Sequence, residues 1–159
     1  MKKIFIFITI LLISFFTAFS ARYVGSKKCK MCHNSAKHGK AYDILYKTKH
    51  SNAFKGLVED GKETDPVCVE CHSTGFNEGG YKIGAPETYK FEGVQCEECH
   101  GPGSKYTKIS IMKNKKLAIK NGLRIPDKKR CLKCHDREKY PWAKEFIYKD
   151  RLKKIDHTY

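Results

Sequence analysis

The chain has 159 residues, with 8 Cys, 7 His and 32 Lys plus Arg against 17 Asp plus Glu, a formal net charge of +15. A disordered tail would not hold that many cysteines together with 9 Phe, and a polytopic membrane protein would not be 31% charged. The length fits one compact domain.

Lys2 and Lys3 form a positive n-region, Ile4 to Phe16 an apolar stretch interrupted by Thr9 and Ser14, and Ala18-Phe19-Ser20 a small-x-small cleavage site. Residues 1–20 read as a cleaved secretory signal and 21–159 as one exported, periplasmic domain; the alternative is an uncleaved membrane anchor. Losing Lys2 and Lys3 lowers the net charge from +15 to +13. Much of the apolar content leaves with the signal. The remaining core is thin, and something besides side chains is needed to fill it.

Next in order come Cys29-Lys-Met-Cys32-His33 and, five residues on, His38. Apolar residues Ala41, Ile44, Leu45, Ala53, Phe54, Leu57 and Val58 recur at helical spacing and predict a helix over about 40–59 that carries His50. Cys68-Val-Glu-Cys71-His72 is followed by Gly75, Gly79, Gly80, Gly84, Pro86 and Gly93, a turn-rich connection rather than a helix. Cys96-Glu-Glu-Cys99-His100 runs into a break at Gly101-Pro102-Gly103. Ile109, Ile111 and Met112 open a second predicted helix over about 108–120, capped by Asn121-Gly122. After Pro126 come Cys131-Leu-Lys-Cys134-His135 and finally His157, behind Leu152 and Ile155. The predicted fold is mainly α, with short helices and long loops wrapped around cofactors and little or no sheet.

All eight cysteines fall into four copies of one pattern, CxxCH, with none left over. Export favours disulfides, yet histidine makes up only 7 of 159 residues. Its recurrence after every pair by chance has odds of roughly four in a million. Zinc uses paired CxxC motifs but does not require a histidine in the same place after each one. Covalent haem c does. Two cysteines on one helical turn reach two vinyl groups of a porphyrin edge, and the next histidine presents its imidazole to the iron.

The expectation is four haem c groups, anchored by Cys29, Cys32, Cys68, Cys71, Cys96, Cys99, Cys131 and Cys134, with His33, His72, His100 and His135 as proximal ligands. Only His38, His50 and His157 remain for the opposite faces, so at least one iron needs another ligand or stays open. Met112 is the one thioether candidate outside the signal and the motifs. His50 is set beside an apolar helix face. His38 lies too near His33 to swing over the same haem and stays open between ligand and surface residue.

The block CVECHSTGFNEGGYKIGAPETYKFEGVQCEECHGPG (68–103), with YVGSKKCKMCH, YKTKHSNAF and CLKCH, resembles the tetrahaem cytochrome c-554 family. The resemblance implies three bis-histidine haems and a five-coordinate second haem, hence an open iron at His72 and His50 as a distal ligand. The family also places a distal histidine about eleven residues after the CHGPG histidine. Here Ile111 and Met112 stand there, which makes Met112 the replacement candidate, while His157 matches the family's C-terminal distal histidine in order only. The implied donor is a hydroxylamine-oxidoreductase-like enzyme.

Residues 21–58 are basic, 59–98 acidic and 105–133 basic again. This distribution is either a set of solvated faces or two poles that orient a redox donor and acceptor by electrostatic steering. A membrane quinol-linked cytochrome or an anionic membrane surface is a further candidate partner; export and haem exclude nucleic acid. Two functions are in view. One is an electron carrier. The other is an enzyme reducing a small nitrogen species, such as nitric oxide, at an open haem.

Overall fold

Helices stay short because capping side chains, prolines and glycines punctuate the chain every few residues. The computed structural model describes residues 20–157, so the predicted signal sequence lies almost wholly outside the described residues. In chain order the helices are α1 (Ser26–His33), α2 (Ala41–Tyr46), α3 (Ala53–Glu59), α4 (Pro66–His72), α5 (Cys96–His100), α6 (Ile109–Met112), α7 (Lys115–Lys120), α8 (Lys128–His135) and α9 (Tyr148–Leu152). Short 3-10 helices occupy Ala36–His38, Pro86–Phe91 and Gly103–Lys105. Among the described residues there is no strand, only an isolated antiparallel bridge between Ser73 and Glu92. None of the described helices is long and apolar enough to cross a membrane.

Two predicted helices are each divided in two. The helix expected over 40–59 stops at Tyr46, because the Thr48 hydroxyl donates to Leu45 O and the Ser51 hydroxyl to Tyr46 O and Thr48 O. These side-chain bonds offer the backbone a partner outside the helix. The helix expected over 108–120 breaks at Asn114, whose side chain accepts from the Leu117 amide and starts α7 afresh. Asp65 caps α4 ahead of Pro66, and Asp127 caps α8 through the Arg130 amide.

The apolar core is small and aromatic. Tyr23, Phe54, Leu57, Val69, Tyr81 and Phe91 form it, with Cys68, Phe76 and Ile83 against its edge. It joins α3 and α4 to the 73–93 connection, whose Thr74 amide donates to Phe91 O and whose Tyr81 amide donates to Thr74 O. This core holds the second motif, while the first, third and fourth are gathered by other contacts.

Candidate functional site

Each CxxCH motif closes a helix: α1, α4, α5 and α8 end on His33, His72, His100 and His135. Both cysteines of each motif therefore lie on one helical turn, and none of the eight is in a disulfide. Helix α1 packs on α5, and α4 on α8. The thiol of Cys29 meets that of Cys96, and Cys71 meets Cys134. Those hydrogen bonds, with burial, push Cys29 and Cys134 up and, against burial, hold Cys96 and Cys71 down. Burial lifts Cys99 to about 11. The motifs are thus coupled first to third and second to fourth. Among the described residues no three His, Cys, Asp or Glu side chains converge on a position that could hold a bare metal ion.

The histidines form facing pairs. His50 and His135 have ring centroids 5.9 Å apart at 76°, His100 and His157 5.7 Å at 69°, and His33 and His38 5.7 Å at 55°. Two imidazoles on opposite sides of one metal, at about 2 Å per metal–nitrogen bond, have centroids roughly 6 Å apart. Burial pushes His33, His50, His100 and His135 below the ordinary imidazole value. A neighbouring positive charge adds to the effect on His50 (His135) and on His135 (Arg151). The neutral imidazole so favoured is the form that binds metal.

Tautomers are set as well. Nδ1 of His72 lies 2.7 Å from Ala53 O, Nδ1 of His100 3.0 Å from Arg124 O and Nδ1 of His157 2.8 Å from Ile155 O. A carbonyl oxygen only accepts, so each Nδ1 carries a proton and Nε2 is the ring nitrogen left to meet a metal. Phe146 stacks on His135, with centroids 4.7 Å apart and planes at 12°, and restrains that ring. These residues fit covalent haem, with motif cysteines on single helix turns, oriented imidazoles and ring pairs 5.7–5.9 Å apart.

His38 is brought close to His33 by the turn between them. After α1 the chain extends at Ser35, tightens through the 3-10 turn Ala36–His38 and passes left-handed Gly39 and Lys40, which sets the His38 ring beside His33. Five residues of chain reach at most about 17 Å, enough to bring the second ring round. Met112 closes α6, half-buried, and takes no part in the three imidazole pairs. Among the described residues no second imidazole faces His72.

Sequence reasoning missed the two residues inside the third motif. Glu97 and Glu98 are 1% and 5% exposed, so neither belongs to an acidic surface pole. The Glu97 carboxylate accepts from the amides of Val24 (2.9 Å), Gly25 (2.7 Å) and Gly103 (2.6 Å). Glu98 accepts from the Gly75 amide and pairs with Arg130 at 2.6 Å and Lys133 at 3.4 Å. Arg130 and Lys133 are therefore spent inside the protein rather than on the basic pole. Exposed Lys105, Lys108, Lys113, Lys115, Lys116 and Lys120 remain on that face. The available signal was a pair of carboxylates on so short a helix that one side of it must turn inward.

Helix-terminal CxxCH motifs beside paired imidazoles define the class of a multihaem c-type cytochrome, one with covalently bound haem c. A family profile described as "Cytochrome c554 and c-prime" matches residues 28–101. Over 149 residues the chain is 32% identical to "Cytochrome c-554" of Nitrosomonas europaea, an alignment covering 79% of this chain. Both matches make the chain similar to the cytochrome c-554 family. It spans 63% of the length of that curated relative. No solved structure gives a significant match.

Proposed function

We propose that this chain is a periplasmic electron carrier with four haem c groups, three of them ligated by two histidines and the one at His72 open. The observation that carries the reading is the pairing of His33 with His38, His50 with His135 and His100 with His157, while His72 is oriented by Ala53 O and faces no ring. The eight motif cysteines anchor the haems, the four motif histidines are the proximal ligands, and His38, His50 and His157 the distal ones. Met112 is not needed as a ligand.

Haem supplies reversible one-electron storage when bound. The chain anchors it, chooses the axial atoms, excludes water and sets the local charge. Contacts between Cys29 and Cys96 and between Cys71 and Cys134 support electron exchange within the first–third and second–fourth couples. The signal-like segment supports export. The exposed lysines flanking α6 and in α7 support docking of an acidic redox protein, such as a hydroxylamine-oxidoreductase-like donor or a membrane quinol-linked cytochrome.

The test is intact mass, which should show four haems per chain, followed by carbon monoxide binding to reduced variants. His38→Ala and His50→Ala should each add one carbon monoxide site. Unchanged binding in both sinks the ligand assignment. A second reading, reduction of a small nitrogen oxide at the His72 haem, draws on the same unfaced imidazole. It requires turnover as fast as electron delivery, and turnover slower than that removes it.

A further inference from the structure

Two adjacent carboxylates are buried in the third motif, and their surroundings differ. Glu98 is matched by two cations, the Arg130 guanidinium and the Lys133 ammonium. Glu97 is the more deeply buried, and among the described residues no cation lies within ion-pair distance of it. Its oxygens instead take amide N–H groups from two places: Val24 and Gly25, just ahead of α1, and Gly103 in the loop after α5. Both oxygens act only as acceptors, the bonding of an anionic carboxylate.

A negative charge held by neutral dipoles keeps its field, whereas one held by a guanidinium loses most of it at a distance. Inside a protein that field is weakly screened. Glu97 follows Cys96 directly and ties down the chain four residues before Cys29, so it stands between the anchors of the first and third haems. Its charge is felt at both thiols, raising Cys29 and opposing the fall of Cys96. Adding an electron to a haem beside a fixed anion is unfavourable, which lowers the reduction potential.

We infer that Glu97 is a redox-tuning residue, a fixed anion that holds down the reduction potentials of the first and third haems together while leaving the second and fourth nearly untouched. The bland role, anchoring Val24, Gly25 and Gly103, exists beside it and makes no demand on potential. The inference rests on the haem assignment above. Haem content of every variant, read by intact mass, keeps a failure of that assignment apart from a failure of this one.

The experiment is a spectroscopic redox titration of the holoprotein. Glu97→Gln keeps the shape and removes the charge. Val24→Lys leaves Glu97 in place and adds a cation nearby, since the Val24 side chain and the Glu97 carboxylate both border Gly103; Val24→Met is the neutral control. Two of the four components should move to higher potential in both Glu97→Gln and Val24→Lys, with the carbon-monoxide-binding haem and the Val24→Met protein unmoved. No movement, or an equal movement of all four components, overturns the inference. If Glu97→Gln does not fold, Val24→Lys decides alone.

Discussion

Gly93 is where the second motif, the His50 segment and the third motif come closest. Its amide donates to His72 O, its carbonyl accepts from the Thr74 hydroxyl, and the next amide, Val94, donates to His50 O. The backbone is left-handed, at φ +77, and a Cβ placed there would lie 2.3 Å from Ser51 O. Gly93→Ala meets two costs. The left-handed conformation costs an L-residue about 1–2 kcal/mol, and overpacking adds about 1–3 kcal/mol, because the backbone must open by roughly 1 Å to reach an ordinary C···O contact. Gly84→Ala is the control. Its φ is +74 but nothing lies within 4 Å of the added carbon, so only the first cost applies.

Gly93→Ala should therefore fall below Gly84→Ala by about 1–3 kcal/mol, a further loss of roughly 3–12 °C in Tm for a chain of this size. The displaced segment is the one that carries His50. The low-spin spectrum should lose intensity from one haem in Gly93→Ala and from none in Gly84→Ala. Thermal unfolding and the haem spectrum read these on the same samples. Equal loss of Tm in the two variants, with both spectra intact, would refute the close approach of Gly93 to Ser51 and its part in placing His50.

Other perturbations test other contacts. Arg130→Gln removes the nearer cation from Glu98 but leaves Lys133, so denaturant unfolding should show a loss of about 2–3 kcal/mol, less than the usual cost of stranding a buried charge. Glu78 is held below the ordinary carboxylate range, against burial, by the Tyr23 hydroxyl and by Lys133. A depressed folded value means its stabilisation is present above the unfolded pKa and lost as pH falls through the folded one. The stability difference between wild type and Glu78→Gln should then close in acid, and a difference independent of pH would contradict the contact. Replacing Lys113, Lys115 and Lys116 with Gln should weaken binding to an acidic redox protein and flatten its salt dependence, as binding assays at two ionic strengths will read.

Haem c chemistry was legible in the sequence because the motif spacing is itself the chemistry: a thiol pair must fall on one helical turn and a histidine must follow. The mainly α character was equally legible. The continuity of two helices was not, since it hinges on the Thr48, Ser51 and Asn114 side chains bonding nearby backbone, which apolar periodicity does not register. The nearness of His38 to His33 was not legible, because chain separation alone says nothing of the turn at 36–38. Glu97 and Glu98 counted as surface charge until the fold placed them beneath the 24–25 segment and beside Arg130. Composition records a carboxylate's sign, and only tertiary structure records whether a cation or an amide answers it.

Three irons closed by paired imidazoles and one left open is the central claim, and carbon monoxide titration of the reduced wild-type holoprotein, normalised to haem content by intact mass, tests it most directly. One carbon monoxide should bind for every four haems. None bound, or two or more, would contradict it.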